Sequence, residues 1–211
     1  SAAAQAGSAS WKALFFGSSD AGNSITVDKP PAALWVMGLS VKIFGLNAWA
    51  ILLPEVLMGV ASVGVLYRSV RRYVGHLGAM VAGVVLALTP MAVLMFRFNN
   101  PDALLVLLML LGGWATLRAV ERGSGRWFAL VGVFLGLAFL TKTLQAFLVL
   151  PVYGLVYLYA APISWAKRLQ HSALALAAMI VSGGWWVAIV EFMPASARPY
   201  IGGSQTNSFW D

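Results

Sequence analysis

The chain has 211 residues, of which 60% are hydrophobic and 10% charged, and a mean hydropathy of +0.81. A soluble domain carries about 25% charged residues, so this composition excludes an ordinary water-soluble globule and marks a membrane protein. Fourteen Lys and Arg against seven Asp and Glu give a net charge of +7, but the cations occur in small groups between apolar runs, which reads as membrane topology and not as a nucleic-acid surface. With no Cys in the sequence, disulfides, thiol catalysis and thiolate metal sites are excluded.

The first 47 residues read as an extracytoplasmic loop carrying two interfacial helices. Residues 1–17 place Trp11, Leu14 and Phe15 at helical spacing beside Lys12, which predicts a short amphipathic helix at the membrane surface. A turn follows at 18–23. Pro30 and Pro31 then open a second surface helix that runs to Leu46, too short and, with Lys42 inside it, too polar to cross. Gly45 and Asn47 end it. A helix needs about 20 apolar residues to cross a bilayer, and six runs near that length follow: 48–67, 77–96, 101–117, 127–141, 144–161 and 172–190. The fourth and fifth are separated at Lys142, because one helix of that combined length would overshoot the bilayer by some 20 Å. The fourth run is short, which leaves Lys142 recessed. Residues 48–190 therefore form a six-helix transmembrane bundle, and 191–211 begin another outer loop. The chain opens at Ser1 without a Met or a leader and closes at Phe209-Trp210-Asp211 in a polar stretch, so further segments are expected beyond both ends.

Basic residues orient this bundle. The connections after the first, third and fifth spans hold Arg68, Arg71, Arg72, Arg118, Arg122, Arg126, Lys167 and Arg168 in short loops, which places them in the cytoplasm. Of the acidic residues, Asp20, Asp28, Glu55, Asp102, Glu191 and Asp211 lie on the outer side and Glu121 inside. That bias fits an outward-facing site of carboxylates and cations; the plainer reading is a simple scarcity of acids in Arg-rich loops. His76 and His171 flank cytoplasmic loops, which removes histidine from any outer metal set.

Several short motifs are suited to chemistry. In Asp28-Lys29-Pro30-Pro31 a carboxylate and an ammonium precede two stiffening prolines, so both are presented from a defined helix start; the plainer reading is an acid at a helix N-terminus beside a solvated lysine. In Arg97-Phe98-Asn99-Asn100-Pro101-Asp102, a helix start explains Asn100 as N-cap, Pro101 and Asp102, while Arg97 at a span end either snorkels to headgroups or binds an anion. Thr141-Lys142-Thr143 is a polar island, and a recessed lysine there fits a phosphate. Arg198-Pro199-Tyr200-Ile201-Gly202-Gly203-Ser204 adds a cation, an aromatic and glycines that permit close backbone approach. Trp35, Trp49, Trp114, Trp127, Trp185 and Trp186 mostly lie near span ends, as an interfacial belt requires. No nucleotide fingerprint, phosphate-binding glycine loop or Ser/His/Asp set is present.

Taken in order, Asp28-Lys29-Pro30-Pro31, Lys42-Ile43-Phe44-Gly45, Asn100-Pro101-Asp102-Ala103-Leu104-Leu105, Leu140-Thr141-Lys142 and the Ser196 to Ser204 stretch resemble the bacterial protein-mannosyltransferase-like, ArnT-like group of GT-C membrane glycosyltransferases. The resemblance implies an all-α polytopic bundle in the bacterial cytoplasmic (inner) membrane that moves a sugar from a polyprenyl-phosphate donor to a glycan, lipid or protein acceptor at the outer face. It implies that Lys29 and Lys142 contact the donor phosphate, with Arg97, Arg198 and Tyr200 assisting, and that Asp28 is a ligand for a divalent metal ion. It places the catalytic base on the first outer loop, upstream of Ser1, with Asp28 and Asp102 as fallbacks. Membrane lipids are expected partners and nucleic acid is not. The competing class is a transporter or flippase of a lipid-linked anion, against which the clustering of charges at one face and the lack of inverted repeats both count.

Overall fold

The computed structural model describes residues 2–210, and among them it is all-helical apart from two isolated backbone bridges, Ser18 with Thr26 and Ile25 with Tyr200. Two short helices, α1 (Ala2–Ala9) and α2 (Trp11–Phe16), stand where the sequence predicts one. The break is local chemistry: Ser10 takes an extended conformation (φ −137°) and its hydroxyl caps α2 by accepting the Ala13 N–H at 3.3 Å. The predicted stripe is also divided. Leu14 is buried, whereas Trp11 is exposed with Lys42 Nζ 3.9 Å from its ring centroid. Gly17 ends α2 at φ 69°, a conformation that glycine adopts without strain.

Helix α3 (Ala32–Phe44) follows Pro30-Pro31 and stops at Gly45 (φ 79°). Its Ala33, Met37 and Val41 pack with Ala4 of α1 and with Ala50 and Ile51 of the next helix, so α3 is a packed strut against the bundle as well as an apolar surface helix. Asn47 Oδ1 accepts the Ala50 N–H at 2.8 Å and starts α4 (Ala48–Leu88). This 41-residue element is broken at Gly75, whose φ of 82° and ψ of −174° reverse the chain. The return leg folds back on the first: Tyr67 Oη meets His76 Nδ1 at 2.9 Å, Gly83 faces Val63, and Gly59 faces Phe96 just beyond the short α5 (Pro90–Met95).

Helices α6 (Asp102–Arg122) and α7 (Gly125–Lys142) are joined by a turn at Gly123 (φ 55°). At Thr143 (φ 41°) the chain reverses again into a 3-10 segment, Thr143–Val149, and then α8 (Leu150–Ala160). The reversal is visible in its side chains, because Phe139 stacks on Phe147 and Phe128 on Tyr157, with ring centroids 5.5 and 3.9 Å apart. Helix α9 (Trp165–Phe192) completes the bundle. Four helical stretches, 48–88, 102–122, 125–160 and 165–192, are long and apolar enough to cross a membrane, and two of them contain these reversals.

The tightest packing is between α7 and α9. A methyl group on Gly132 would collide with the Ala175 carbonyl oxygen, and one on Gly136 with Ser182 Oγ and the Met179 carbonyl, so the two backbones touch through glycine as membrane helices commonly do. Gly154 of α8, by contrast, faces open space. Gly132→Ala is therefore expected to destabilise the bundle by about 1–3 kcal/mol, whereas Gly154→Ala should stay within about 0.5 kcal/mol; unfolding in mixed detergent micelles reads both.

Candidate functional site: a pocket lined by Asp28 and Lys29

One end of the bundle is closed by two segments far apart in sequence. The Thr26 N–H donates to Tyr200 O at 2.9 Å, the Tyr200 N–H to Ser24 O at 3.0 Å, and the Gly202 N–H to Thr26 Oγ1 at 2.9 Å. Gly202 is required there, since a methyl group on it would run into the Thr26 carbonyl. Beneath them, Phe16, Ala32, Leu140, Trp186, Val190 and Ile201 form one buried cluster that joins α2, α3, α7, α9 and the late loop. Two indoles fix this floor: Trp186 Nε1 and Trp35 Nε1 both donate to the Phe15 carbonyl, at 2.9 and 3.3 Å. Trp186 is thus a core residue and not part of an interfacial belt.

Between these segments lies a pocket of about 230 Å³, lined by residues including Asp28, Lys29, Thr143, Gly202, Gly203 and Ser208. Pro30 is buried directly behind the acid–lysine pair, so the prolines anchor a stiff start to α3 and leave the two charged side chains exposed. Neither Asp28 nor Lys29 has a hydrogen bond or ion pair among the described residues. Asp28 is the one carboxylate lining the pocket, and no group of three or more His, Cys, Asp or Glu is gathered among the described residues; one ligand is all this pocket offers a metal ion.

Lys142 precedes Thr143 at the pocket edge. Its Nζ lies 2.6 Å from Asp102 Oδ1, with each side chain about a quarter exposed (24% and 23%). The pairing follows from the turn before α6. Asn100 Oδ1 accepts the Asp102 N–H at 2.6 Å while its amide donates to Met95 O and Phe98 O, so the helix starts one residue later than the sequence predicts and its first acid is aimed at α7. Near Asp102 lies Glu55, wholly buried in α4 with both carboxylate oxygens lacking a partner among the described residues. The sequence reading counts Glu55 only as an outer acid. The signal that marks it is its place directly after Pro54 inside an apolar span, where an acid is costly unless it serves a site.

The remaining candidates stand elsewhere. Arg97 is exposed beside an apolar groove formed with Val56, Val60 and Phe96, and it does not line the Asp28–Lys29 pocket. Arg198 is used internally: Nη1 donates to Asn207 Oδ1 at 2.8 Å, Nη2 to Asn207 O at 2.6 Å and Nε to Met193 O at 3.4 Å. Tyr200 Oη donates to Ser204 O at 3.0 Å. Both residues shape the loop that forms one wall. Glu191 anchors its far end by accepting from Ser208 Oγ and the Phe209 N–H.

An all-α membrane bundle with a pocket of this kind at one end has the architecture of a GT-C glycosyltransferase, and the comparisons are specific. The family described as dolichyl-phosphate-mannose-protein mannosyltransferase matches residues 28–186, from Asp28 to Trp186 at the pocket floor, and the chain belongs to this family. It is 42% identical to the mannosyltransferase-like proteins YycA and YkcB of Bacillus subtilis (strain 168), over 195 residues, covering 92% of this chain and 28% and 27% of theirs. Crystal structures of ArnT from Cupriavidus metallidurans superpose with a TM-score of 0.63 in the apo state and in the state bound to undecaprenyl phosphate. They are 31% and 30% identical and cover 78% of this chain and 32% and 31% of ArnT. The chain thus spans less than a third of the length of these relatives.

The Arg198 clamp yields a measurable expectation. Arg198→Lys keeps the charge but loses the planar fork that reaches both Asn207 oxygens, so local stability should fall by about 1–3 kcal/mol. Hydrogen exchange at the Ile201 amide, which donates to Asn207 Oδ1, should speed up by about 5–150-fold while the bundle helices remain protected.

Proposed function

We propose that this chain is the part of an outer-face glycosyltransferase that holds the phosphate of a polyprenyl-phosphate sugar, in the bacterial cytoplasmic membrane. The observation that carries the reading is Lys29, unpaired among the described residues, in a pocket that Thr143 also lines, with Lys142, the residue before Thr143, held by Asp102. ArnT, a structural relative, has been crystallised with undecaprenyl phosphate, which supports a lipid phosphate as ligand. Membrane sidedness follows from charge: the pocket lies at the end of the bundle opposite Arg68, Arg71, Arg72 and Arg118, and six crossings with the Arg-rich end in the cytoplasm put it outside. A cysteine introduced at position 123 should then resist a membrane-impermeant thiol reagent added from outside the cell, and labelling there would reverse the orientation.

In the proposed reaction the bond between the anomeric carbon and the phosphate oxygen breaks, its electron pair leaves with the polyprenyl phosphate, and the acceptor oxygen forms the new bond to that carbon. The charge that grows on the departing phosphate is met by Lys29, and by Lys142 as it shifts from Asp102 to the phosphate. The acceptor's proton passes to a carboxylate. Asp102, tied to a lysine, is suited to positioning Lys142; Asp28 faces the pocket unpaired, and the resemblance places the principal base before Ser1.

Lys29→Ala and Lys142→Ala are each expected to lower kcat/KM for the lipid-linked donor by about 10²–10³-fold, with helix content unchanged. The test is radiolabelled polyprenyl-phosphate sugar supplied to the full-length protein in liposomes with a cell-envelope acceptor extract. Label in the acceptor supports transfer, whereas label moved intact across the bilayer would make the protein a flippase. The 211-residue chain alone should show no turnover in the same assay.

A further inference from the structure

At the far end of the bundle from the donor pocket, four arginines converge on a groove. Arg68, Arg71 and Arg72 at the end of the first leg of α4, and Arg118 of α6, enclose about 620 Å³ together with the apolar wall made by Leu111 and Trp114. Glu121 is the acid that answers them. It pairs with Arg72 Nε, lies 3.7 Å from Arg118 Nη1, and accepts the Tyr73 hydroxyl at 2.7 Å. Four cations against one carboxylate leave a surplus of three (4 − 1) in one cavity. Arg68 and Arg71 have no acidic partner among the described residues.

Topology alone does not account for this arrangement. A positive-inside bias requires cations in the loops of one side, but not their convergence on a cavity. Arg122 and Arg126 belong to the same side, are exposed, and do not line the groove. The groove also combines two chemistries, a cationic mouth and an aromatic and aliphatic wall that continues along the helices. Guanidinium groups match phosphate oxygens through paired N–H donors, and basic pockets between transmembrane helices on the cytoplasmic side take anionic headgroups.

We propose that this groove is a binding site for one anionic phospholipid of the leaflet it faces, with the headgroup phosphate on Arg68 and Arg71 and the start of an acyl chain along Leu111 and Trp114. Glu121 holds Arg72 and Arg118 apart from the phosphate-facing pair and keeps the cluster from repelling itself open. The site is independent of the donor pocket and stands whether or not the transferase reading does.

The test is native mass spectrometry of the full-length protein titrated with phosphatidylglycerol or phosphatidylcholine in detergent. Saturable binding of phosphatidylglycerol in preference to phosphatidylcholine is expected, and equal binding of the two would overturn the proposal. The pair Arg68→Gln and Arg71→Gln should weaken phosphatidylglycerol binding by about thirtyfold, while Arg122→Gln with Arg126→Gln should change it less than about threefold. Equal loss from both pairs would show diffuse surface charge and overturn a discrete site. Excess glycerol 3-phosphate should leave the lipid bound, because it cannot use the apolar wall; displacement at lipid-equivalent concentration would overturn the lipid as occupant in favour of a soluble phosphate. Unchanged circular dichroism in both double variants separates loss of the site from loss of the fold.

Discussion

The backbone contact between α7 and α9 sets the rest of the molecule. Gly132 and Gly136 bring the helices so close that the Ala175 and Met179 carbonyls occupy the space a side chain would take. Because lipid tails are as apolar as leucine, such helices gain little from burial and associate through close packing instead. The pair runs in parallel, so the C-terminal end of α7 and the Trp186 turn of α9 emerge together. That is why Thr143, the neighbour of Lys142, and Trp186 line the same pocket. A looser pair would separate the pocket edge from its floor.

Two kinds of charge stand at this end of the bundle. Asp28 and Lys29 are adjacent in sequence and unpaired, and they are stiffened from behind by buried proline. Lys142 and Asp102 come from different helices and are paired at 2.6 Å. An ion pair that is partly shielded from water is held more firmly than a surface pair, so Lys142 is restrained in direction, whereas Lys29 is free to follow a ligand. Glu55 lies fully buried near Asp102 without a partner among the described residues. A buried carboxyl of this kind costs stability.

Much of this was legible in the sequence because the signals are local. Apolar run length gives a membrane bundle, and Pro30-Pro31 and Gly45 bound α3. The reading fails where a residue's role is set by a partner or a turn that run length and composition do not reveal. Trp186 reads as an interfacial aromatic, but its indole serves a carbonyl 171 positions away. Arg198 reads as a free cation, but its nitrogens are taken by Asn207 and Met193. Arg97 reads as a candidate for the same anion site, yet the turn before α6 leaves it beside a different groove. Even the break at Ser10 has a local signal, as serine is a common N-cap.

The two indole hydrogen bonds on Phe15 also constrain how the protein is made. Residues made early wait for partners synthesised much later: Phe15 for Trp186, and Thr26 for Gly202, separations of 171 and 176 residues. At about 5–20 residues per second, the first loop remains unseated for roughly 10–30 s after it is made. During that interval the acid–lysine pair is presented on an unfinished surface, and the pocket closes only when α9 and the glycine loop after it arrive. The pocket is therefore among the last features of this chain to form, and an incompletely translated copy would carry Lys29 without the walls that confine a ligand.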